Sequence, residues 1–214
     1  MLIHPWDAAA DDAEWQQWLA AHDFGQLAVN GLDGEPPFVQ PTHFLYDPAP
    51  GPHGEVLLHL ARPNPMWPAL AAAPQVTLSV VDDHTFIPGP WHAVPGTPPE
   101  HGTPTSYYAA VQLTGTAHVL DDPQAKADLL ERQLAHFQPD GGIAPVAPGQ
   151  EPFGRKLAGI RGVRIEVTRV RAKFKYGGNK PEEVQRRVTG LLADRAAPGD
   201  AAARAHQLRR RSAG

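Results

Sequence analysis

The sequence contains no cysteine, and this absence removes several classes of site. Iron–sulfur clusters, thiolate zinc sites, disulfide frameworks and cysteine nucleophiles all need a thiol that this chain does not supply. No apolar run approaches the roughly 18 residues that a membrane-spanning helix needs. The first residues lack the positive and apolar regions of a signal peptide. We therefore expect a cytoplasmic protein with no membrane partner.

Several catalytic and phosphate-binding signatures are also missing. Neither GxxxxGK[ST] nor GxGxxG occurs as a strand–helix motif, and there is no GxSxG elbow. The 11 histidines form no HxxxH or HExxH pair, so no metal site is predicted. With 19 Lys and Arg against 23 Asp and Glu, the chain is a poor general match to nucleic acid. A local basic patch stays open as an alternative.

Proline and glycine are abundant instead, with 24 Pro and 20 Gly among 214 residues. Such frequent breaks favour short strands joined by turns. Apolar runs and alternation predict strands over 24–29, 38–46, 55–60, 76–81, 107–120 and 162–175. Helical spacing and capping predict helices over 11–22 and 65–73, and others that begin at 123 and 181. Because strict βαβ alternation is missing, we predict a mainly β, α+β fold: a mostly antiparallel barrel with peripheral helices.

The composition changes near the carboxyl end of the sequence. Residues 1–193 carry the apolar patterning of one domain with helical decoration. Residues 194–214 are rich in Ala and Arg and show no apolar stripe, so we expect a frayed or disordered basic tail.

The most informative segment is His59-Leu-Ala-Arg-Pro-Asn-Pro-Met-Trp67. Asn64 is a good helix N-cap, and Pro65 suits the first helical position. Arg62 would then lie beside free amide hydrogens at the positive end of a helix, where its guanidinium adds a bidentate fork. This combination predicts a phosphate site. A surface charge beside an ordinary helix start is the simpler alternative.

Two later segments could contribute to a ligand site. Hydroxyls and rings in Pro104-Thr-Ser-Tyr-Tyr108 suit a flat heteroaromatic ligand, although an ordinary strand with aromatic core residues explains them too. In Lys173-Phe174-Lys175, alternation puts both lysines on one strand face. They could hold an anion there, or they could mark a solvated strand end.

In this order, the segments resemble the PaiB-type FMN-binding negative transcriptional regulators. These are flavin-binding split barrels related to pyridoxamine phosphate oxidases. The resemblance spans roughly residues 1–193 and is most specific at H-x-A-[RK]-x-N-P-x-W, which residues 59–67 match. The family's S-P-x-W-Y loop is partly kept around Pro90 and Trp91. Its V-P-T-W-N-Y-x-x-V-H-x-x-G motif is partly kept over 103–115, with Ser, Tyr and Gln in place of Trp, Asn and His, and its K-F-K-L-S-Q-N-R motif is partly kept over 173–180.

The resemblance implies a homodimer with one FMN in each of two clefts at the subunit interface. It implies a phosphate site at Arg62 and Asn64, close to the His59 of the same motif, with Lys173 or Lys175 as helpers. Strand edges around Thr42-His43 and Val80-Val81 would bond the polar rim of the flavin. Further residues would wall or contact the ring: Trp91, Thr105, Tyr108 and Gln112.

The expected function is that of a flavin-dependent oxidoreductase or a flavin-linked regulator. One alternative is a regulator or binding module without catalysis, in which the arginine-rich tail would contact nucleic-acid phosphates. Another is a split barrel that holds haem or a deazaflavin, with His43, His59 or His92 as a haem ligand. No side chain is a convincing general acid or base, so no catalytic residue is predicted.

Overall fold

A computed structural model describes residues 1–212, and these residues form seven strands and five α-helices. In chain order they are α1 (Asp12–Ala20), β1 (Phe24–Val29), β2 (Phe38–His43), β3 (Leu45–Asp47), β4 (Glu55–Ala61), α2 (Trp67–Ala72), β5 (Gln75–Ile87), β6 (Thr105–Leu120), α3 (Pro123–Phe137), β7 (Ile160–Lys175), α4 (Glu182–Arg195) and α5 (Asp200–Ser212). Within residues 1–212, no helix combines the length and the apolar character needed to cross a membrane.

The strands form one sheet in the order β2-β1-β5-β6-β7-β4-β3. Strand β1 pairs antiparallel with β2 and β5, and β4 pairs antiparallel with β3 and β7. Neighbouring strands in the sheet are therefore often distant in sequence, as expected when helices and loops cross over. The predicted class, a mainly antiparallel β fold with helices, is confirmed.

Some boundaries differ from the expectation. Strand β5 continues to Ile87 through the polar run Asp82-Asp83-His84-Thr85, whereas the apolar pattern ended at 81. The hydroxyl of Thr85 donates to Asp200 at 2.6 Å, so a contact from distant sequence supports this polar half of the strand. The stretch predicted as one strand over 38–46 divides into β2 and β3 at the fully buried Phe44.

The described chain divides into two compact units. The first unit contains residues 1–15, 81–111 and 171 onwards, and the second contains residues 16–80 and 112–170. Strands β5, β6 and β7 each contribute residues to both. The core of the first unit includes Tyr107, Phe174 and Val188, and that of the second includes Leu58 and Leu113. The single domain expected over residues 1–193 stays a prediction.

The carboxyl-terminal residues differ from the expected tail, because residues 200–212 form helix α5. Its buried side chains are small or polar. Gln207 is 1% exposed and accepts a hydrogen bond from the Thr189 hydroxyl at 2.6 Å, while Ala203 is fully buried. An apolar stripe was therefore the wrong criterion for this helix, since small and polar side chains fix it in place.

Candidate functional site

The second unit contains a pocket of about 580 Å³ beside helix α3. This volume lies within the range of roughly 300–1,000 Å³ that is usual for ligand pockets. The lining residues are Thr42 and His43 from β2, His59 from β4, and Leu130, Gln133, Leu134 and Phe137 from α3. The helix supplies an apolar wall and the strands supply polar groups, which suits a flat ring system with a polar rim.

Local sequence explains why these side chains meet. Along β4 the side chains of Leu58 and Leu60 are buried, so alternation turns His59 to the opposite face, where it is exposed. Helix α3 begins at an N-cap, Asp122, whose carboxylate accepts from the Ala125 amide at 2.9 Å. Its pocket-lining apolar residues recur at helical spacing: Leu130, Leu134 and Phe137.

One hydrogen-bond pair sets the chemistry of His59. The Nε2 of Gln133 donates to the Leu57 carbonyl at 3.1 Å, which leaves Oε1 of the same amide facing His59 Nδ1 at 2.7 Å. A carbonyl can only accept, so the orientation of the amide follows from Leu57. In the neutral ring, Nδ1 therefore carries the hydrogen and Nε2 is the acceptor.

His43 lies between two aromatic rings at the edge of the pocket. Its ring centroid is 4.9 Å from Phe24 and 5.2 Å from Phe137, both in edge-to-face geometry, and its Nδ1 is 3.7 Å from Asp23. Thr42 is buried, and its hydroxyl donates to the His43 carbonyl at 3.0 Å. The predicted strand edge at Thr42-His43 thus contributes one side chain that is locked in place and one that remains exposed.

Arg62 lies just beyond the end of β4 and binds a carboxylate. Its Nη2 donates to Asp121 at 3.0 Å and its Nε to the Ala158 carbonyl at 2.8 Å. Arg161 binds the same carboxylate, with Nε at 2.9 Å. The hydrogen bond from Arg161 is the main reason that the pKa of Asp121 lies below its usual value, and Arg62 adds to the effect.

Asn64 does not cap a helix, which corrects the sequence-based expectation. Helix α2 begins at Trp67, and its N-cap is Met66, which provides no side-chain cap. Asn64 Oδ1 instead accepts from the Met66 amide at 3.0 Å, and its Nδ2 donates to Gln40 at 2.9 Å. The two prolines around Asn64 favour turns over a helical start. Arg62 and Asn64 therefore flank a turn.

The first unit contains a second pocket of about 240 Å³. Its lining residues are His4, Trp6, Asp7, His92, Thr103, Pro104, Thr105, Tyr107, Lys175, Gly177, Asn179 and Lys180. Two of the residues predicted from sequence meet here, since Lys175 Nζ donates to Thr105 Oγ1 at 2.7 Å. Lys173 and Lys175 lie 5.6 and 5.8 Å from the centroid of the Tyr108 ring.

Burial changes the acid–base behaviour of this pocket. It raises the pKa of Asp7 and of the Tyr107 phenol, and it lowers the pKa of His92 and of the Lys175 ammonium. In each case burial is the largest cause, because a less polar surrounding disfavours the charged form. Such concentrations of shifted groups in a pocket are typical of functional sites.

The remaining predicted residues lie apart from these pockets. The Trp91 ring lies 4.6 Å from the Arg195 guanidinium, and its carbonyl accepts from Arg187 in the first unit. Gln112 lies on β6 in the second unit, on the same strand face as Thr114. Val80 is buried in the second unit, whereas Val81 is 59% exposed in the first.

Sequence reasoning missed several of the groups that define these sites. Gln133 was hidden within the apolar stripe of α3, although a polar residue among leucines is a signal of an inward hydrogen bond. Asp121 stands in an Asp-Asp-Pro segment that is typical of turns and helix caps, and Asp7 has no local signal. The ion pair of Asp121 with Arg62 depends on a contact between residues 59 positions apart.

Residues 1–169 match the model of a family described as "Putative FMN-binding domain". No curated protein sequence matches the chain.

Three solved structures resemble the fold. The FAD and heme binding protein from Mycobacterium smegmatis has 16% identity over 83% of this chain and 78% of that chain, with a TM-score of 0.60. The flavocytochrome Anf3 from Azotobacter vinelandii has 19% identity over 80% of this chain and 71% of that chain, with a TM-score of 0.59. The conserved hypothetical protein Rv2991 from Mycobacterium tuberculosis has 17% identity over 84% of this chain and 92% of that chain, with a TM-score of 0.55. At these identities the likeness shows a shared fold alone.

Proposed function

The chain belongs to this family of FMN-binding domains, and from that premise we propose that it binds FMN in the pocket of the second unit and serves a redox reaction. The observation that carries the proposal is that His59, the first residue of the H-x-A-R-x-N-P segment, lines a pocket with an apolar helical wall. The family match supports flavin binding, and the oxidoreductase role is our proposal. When bound, the flavin would supply the electron transfer.

The pocket residues fit an isoalloxazine ring. Leu130, Leu134 and Phe137 offer apolar surface for its faces. The Nε2 atom of His59 is an acceptor, because Gln133 holds the hydrogen on Nδ1. It therefore suits a ring N–H at the polar rim of the flavin.

The end of β4 fits the phosphate. Arg62 follows His59 by three residues, which is about 10 Å along an extended chain, a span comparable to the ribityl chain between the ring and phosphate of FMN. The competing Asp121 carboxylate is 44% exposed, and exposed ion pairs contribute only about 0–1 kcal/mol. A phosphate dianion can therefore replace Asp121 as the partner of Arg62.

A fluorescence titration of FMN tests the proposal. We expect the wild-type chain to quench FMN fluorescence on binding. Arg62→Ala should weaken affinity about ten- to a hundredfold through the loss of a charge-assisted contact. Arg155→Ala is the matched control, because Arg155 also lies in the second unit and its side chain is 91% exposed. Absence of quenching by the wild type would refute the proposal, and equal losses in both variants would refute the phosphate assignment.

We also propose that the chain forms a homodimer that covers the open sheet face beside the pocket. Phe24 is 54% exposed and Val39 is 57% exposed. The register Phe24↔His43 and Ala28↔Val39 places both on the sheet face that carries His43. Light scattering during the FMN titration should give twice the mass of the chain. Val39→Glu should shift the equilibrium toward the monomer, whereas a monomeric wild type would contradict the proposal.

Haem is a second candidate ligand for the same pocket, because His43 and His59 both line it. His59 Nε2 is the atom that would bind iron, since the other nitrogen is held by Gln133. Proteins with a similar fold include the FAD and heme binding protein and the flavocytochrome named above. An absorption spectrum separates the two ligands, since an intense Soret band marks haem and two weaker visible bands mark flavin.

The role of a PaiB-type transcriptional regulator has less support. Three of the arginines of α5 that would contact DNA already bind acidic partners. Arg209 and Arg210 both lie 2.8 Å from Glu14, and Arg211 lies 3.5 Å from Glu182. Because phosphates would have to displace these carboxylates, we rank nucleic-acid binding below flavin binding.

A further inference from the structure

The pocket of the first unit holds more positive than negative charge. Asp7 is 3% exposed, and its carboxylate lies 3.8 Å from the Lys173 ammonium, which also donates to the Leu2 carbonyl at 2.9 Å. The half-buried Lys175 makes its hydrogen bond to the neutral Thr105 hydroxyl, and Lys180 lines the same pocket. In the described part of the chain, neither Lys175 nor Lys180 has an ion-pair partner within 4.0 Å.

The neighbouring carboxylate of Lys175, Asp7, already pairs with Lys173, so it compensates the Lys175 charge only in part. A half-buried ammonium in this position is costly unless a ligand supplies a further negative charge. The cost is visible in the pKa of Lys175, which burial lowers first and the neighbouring Lys173 lowers further, while Asp7 opposes part of the shift. An anion in the pocket would reduce this penalty, because it would give Lys175 a negative partner that is not shared with Lys173, whereas the Thr105 hydroxyl is neutral.

His92 and Tyr107 form an uncharged, hydrogen-bonded part of the pocket wall. The Thr103 carbonyl lies 3.2 Å from His92 Nδ1, so this nitrogen carries the hydrogen and Nε2 accepts from the Tyr107 hydroxyl at 3.0 Å. Gly177 adopts a φ of 77°, and a Cβ there would lie 2.2 Å from the Tyr107 hydroxyl oxygen. Glycine is therefore required at this position for the Tyr107 ring to form the wall.

Aromatic surface and a small volume define the rest of the ligand. Trp6 and Tyr107 contribute rings and Pro104 contributes an apolar edge to a cavity of about 240 Å³. Inorganic phosphate would leave these surfaces uncovered, whereas an acid with a compact apolar or aromatic body would contact them. We propose that this pocket binds a small organic carboxylate, with the acid group on Lys175 and its apolar body against Trp6 and Tyr107.

The proposal is independent of flavin binding, because every lining residue lies in the first unit and the proposed FMN pocket lies in the second. Binding of a ligand to one pocket can therefore be tested while a ligand occupies the other pocket. FMN itself serves as a competitor that reports whether the two sites are the same.

Isothermal titration with sodium benzoate tests the proposal, with inorganic phosphate and FMN as comparison ligands. We expect the wild-type chain to bind benzoate. Lys175→Gln should weaken binding about ten- to a hundredfold, since it removes the charge while keeping a donor for Thr105. Lys156→Gln is the matched control, because Lys156 is an exposed lysine of the second unit. This variant should bind benzoate with the affinity of the wild type. Circular dichroism verifies that both variants are folded.

The other outcomes overturn the proposal. Absence of benzoate binding to the wild type, or unchanged affinity in a folded Lys175→Gln variant, removes the carboxylate site. Binding of phosphate without benzoate assigns the cations to a phosphate ligand instead. Displacement of benzoate by stoichiometric FMN would mean that Lys175 belongs to the flavin site.

Discussion

Each of the two units contains an aspartate paired with arginine, but the aspartate is buried in the first unit and exposed in the second. In the first unit Asp200 is 1% exposed and accepts hydrogen bonds from Thr85, from the Ala197 amide and from Arg195. In the second unit Asp121 is 44% exposed and is shared by Arg62 and Arg161. The buried network is fixed by the fold, whereas the exposed one can exchange its carboxylate for another anion. Under the proposed function, the same residue types therefore serve structure in one unit and ligand binding in the other.

Removal of the buried carboxylate should have the largest effect. Asp200→Ala leaves Arg195 and Thr85 without their partner, and breaking a buried pair in this way typically costs about 3–5 kcal/mol. Urea unfolding followed by circular dichroism measures the loss of stability. A loss below that of Asp121→Asn would contradict the contrast between the two units.

The carboxylate of Asp200 should also make the free energy of unfolding depend on pH in the acid range. The hydrogen bond from Arg195 is the first cause that lowers the pKa of Asp200 to about 2, from 3.8. Its contribution is therefore fully present above pH 3.8 and is lost as the pH falls toward 2. The contribution amounts to about 2 kcal/mol. Asp200→Asn should show less of this acid-dependent loss in urea unfolding at pH 5 and pH 2, and an unchanged profile would assign the dependence to other groups.

Removal of the exposed carboxylate should have the smallest effect on stability. Asp121→Asn should change the free energy of unfolding by about 1 kcal/mol or less, because the pair is open to solvent. The variant should also bind FMN roughly two- to fivefold more tightly, since Arg62 would no longer be shared with a competing carboxylate. Weaker FMN binding than the wild type would show that Asp121 positions Arg62 instead of competing for it.

Local sequence predicted the parts of the fold that local interactions determine. Strand β1 has the expected bounds, and α3 begins after its expected cap. The polar half of β5 and helix α5 were missed because contacts between distant residues hold them, such as Thr85 with Asp200, 115 positions apart.

The candidate site follows the same division. The H-x-A-R-x-N-P segment identified His59, but the group that orients its ring, Gln133, comes from 74 positions away. The helix start expected at Asn64 was wrong, because its side chain forms a turn with the Met66 amide. Pairing between distant segments, which no spacing rule in a single sequence reveals, thus determines the chemistry of the site.

Helix α5 has a practical consequence for experiments on the basic residues. Gln207 and Ala203 are part of the packed interior of the first unit, and Arg210 is bound to Glu14 near the amino terminus. Deletion of the last twenty residues would therefore disrupt the packing of the first unit as well as remove positive charge. If such a truncated chain failed to shift DNA in a gel, the result would reflect the loss of folded structure and not the loss of a DNA contact. Single neutralising changes at an outward arginine, such as Arg204→Gln, preserve the scaffold and isolate the effect of charge.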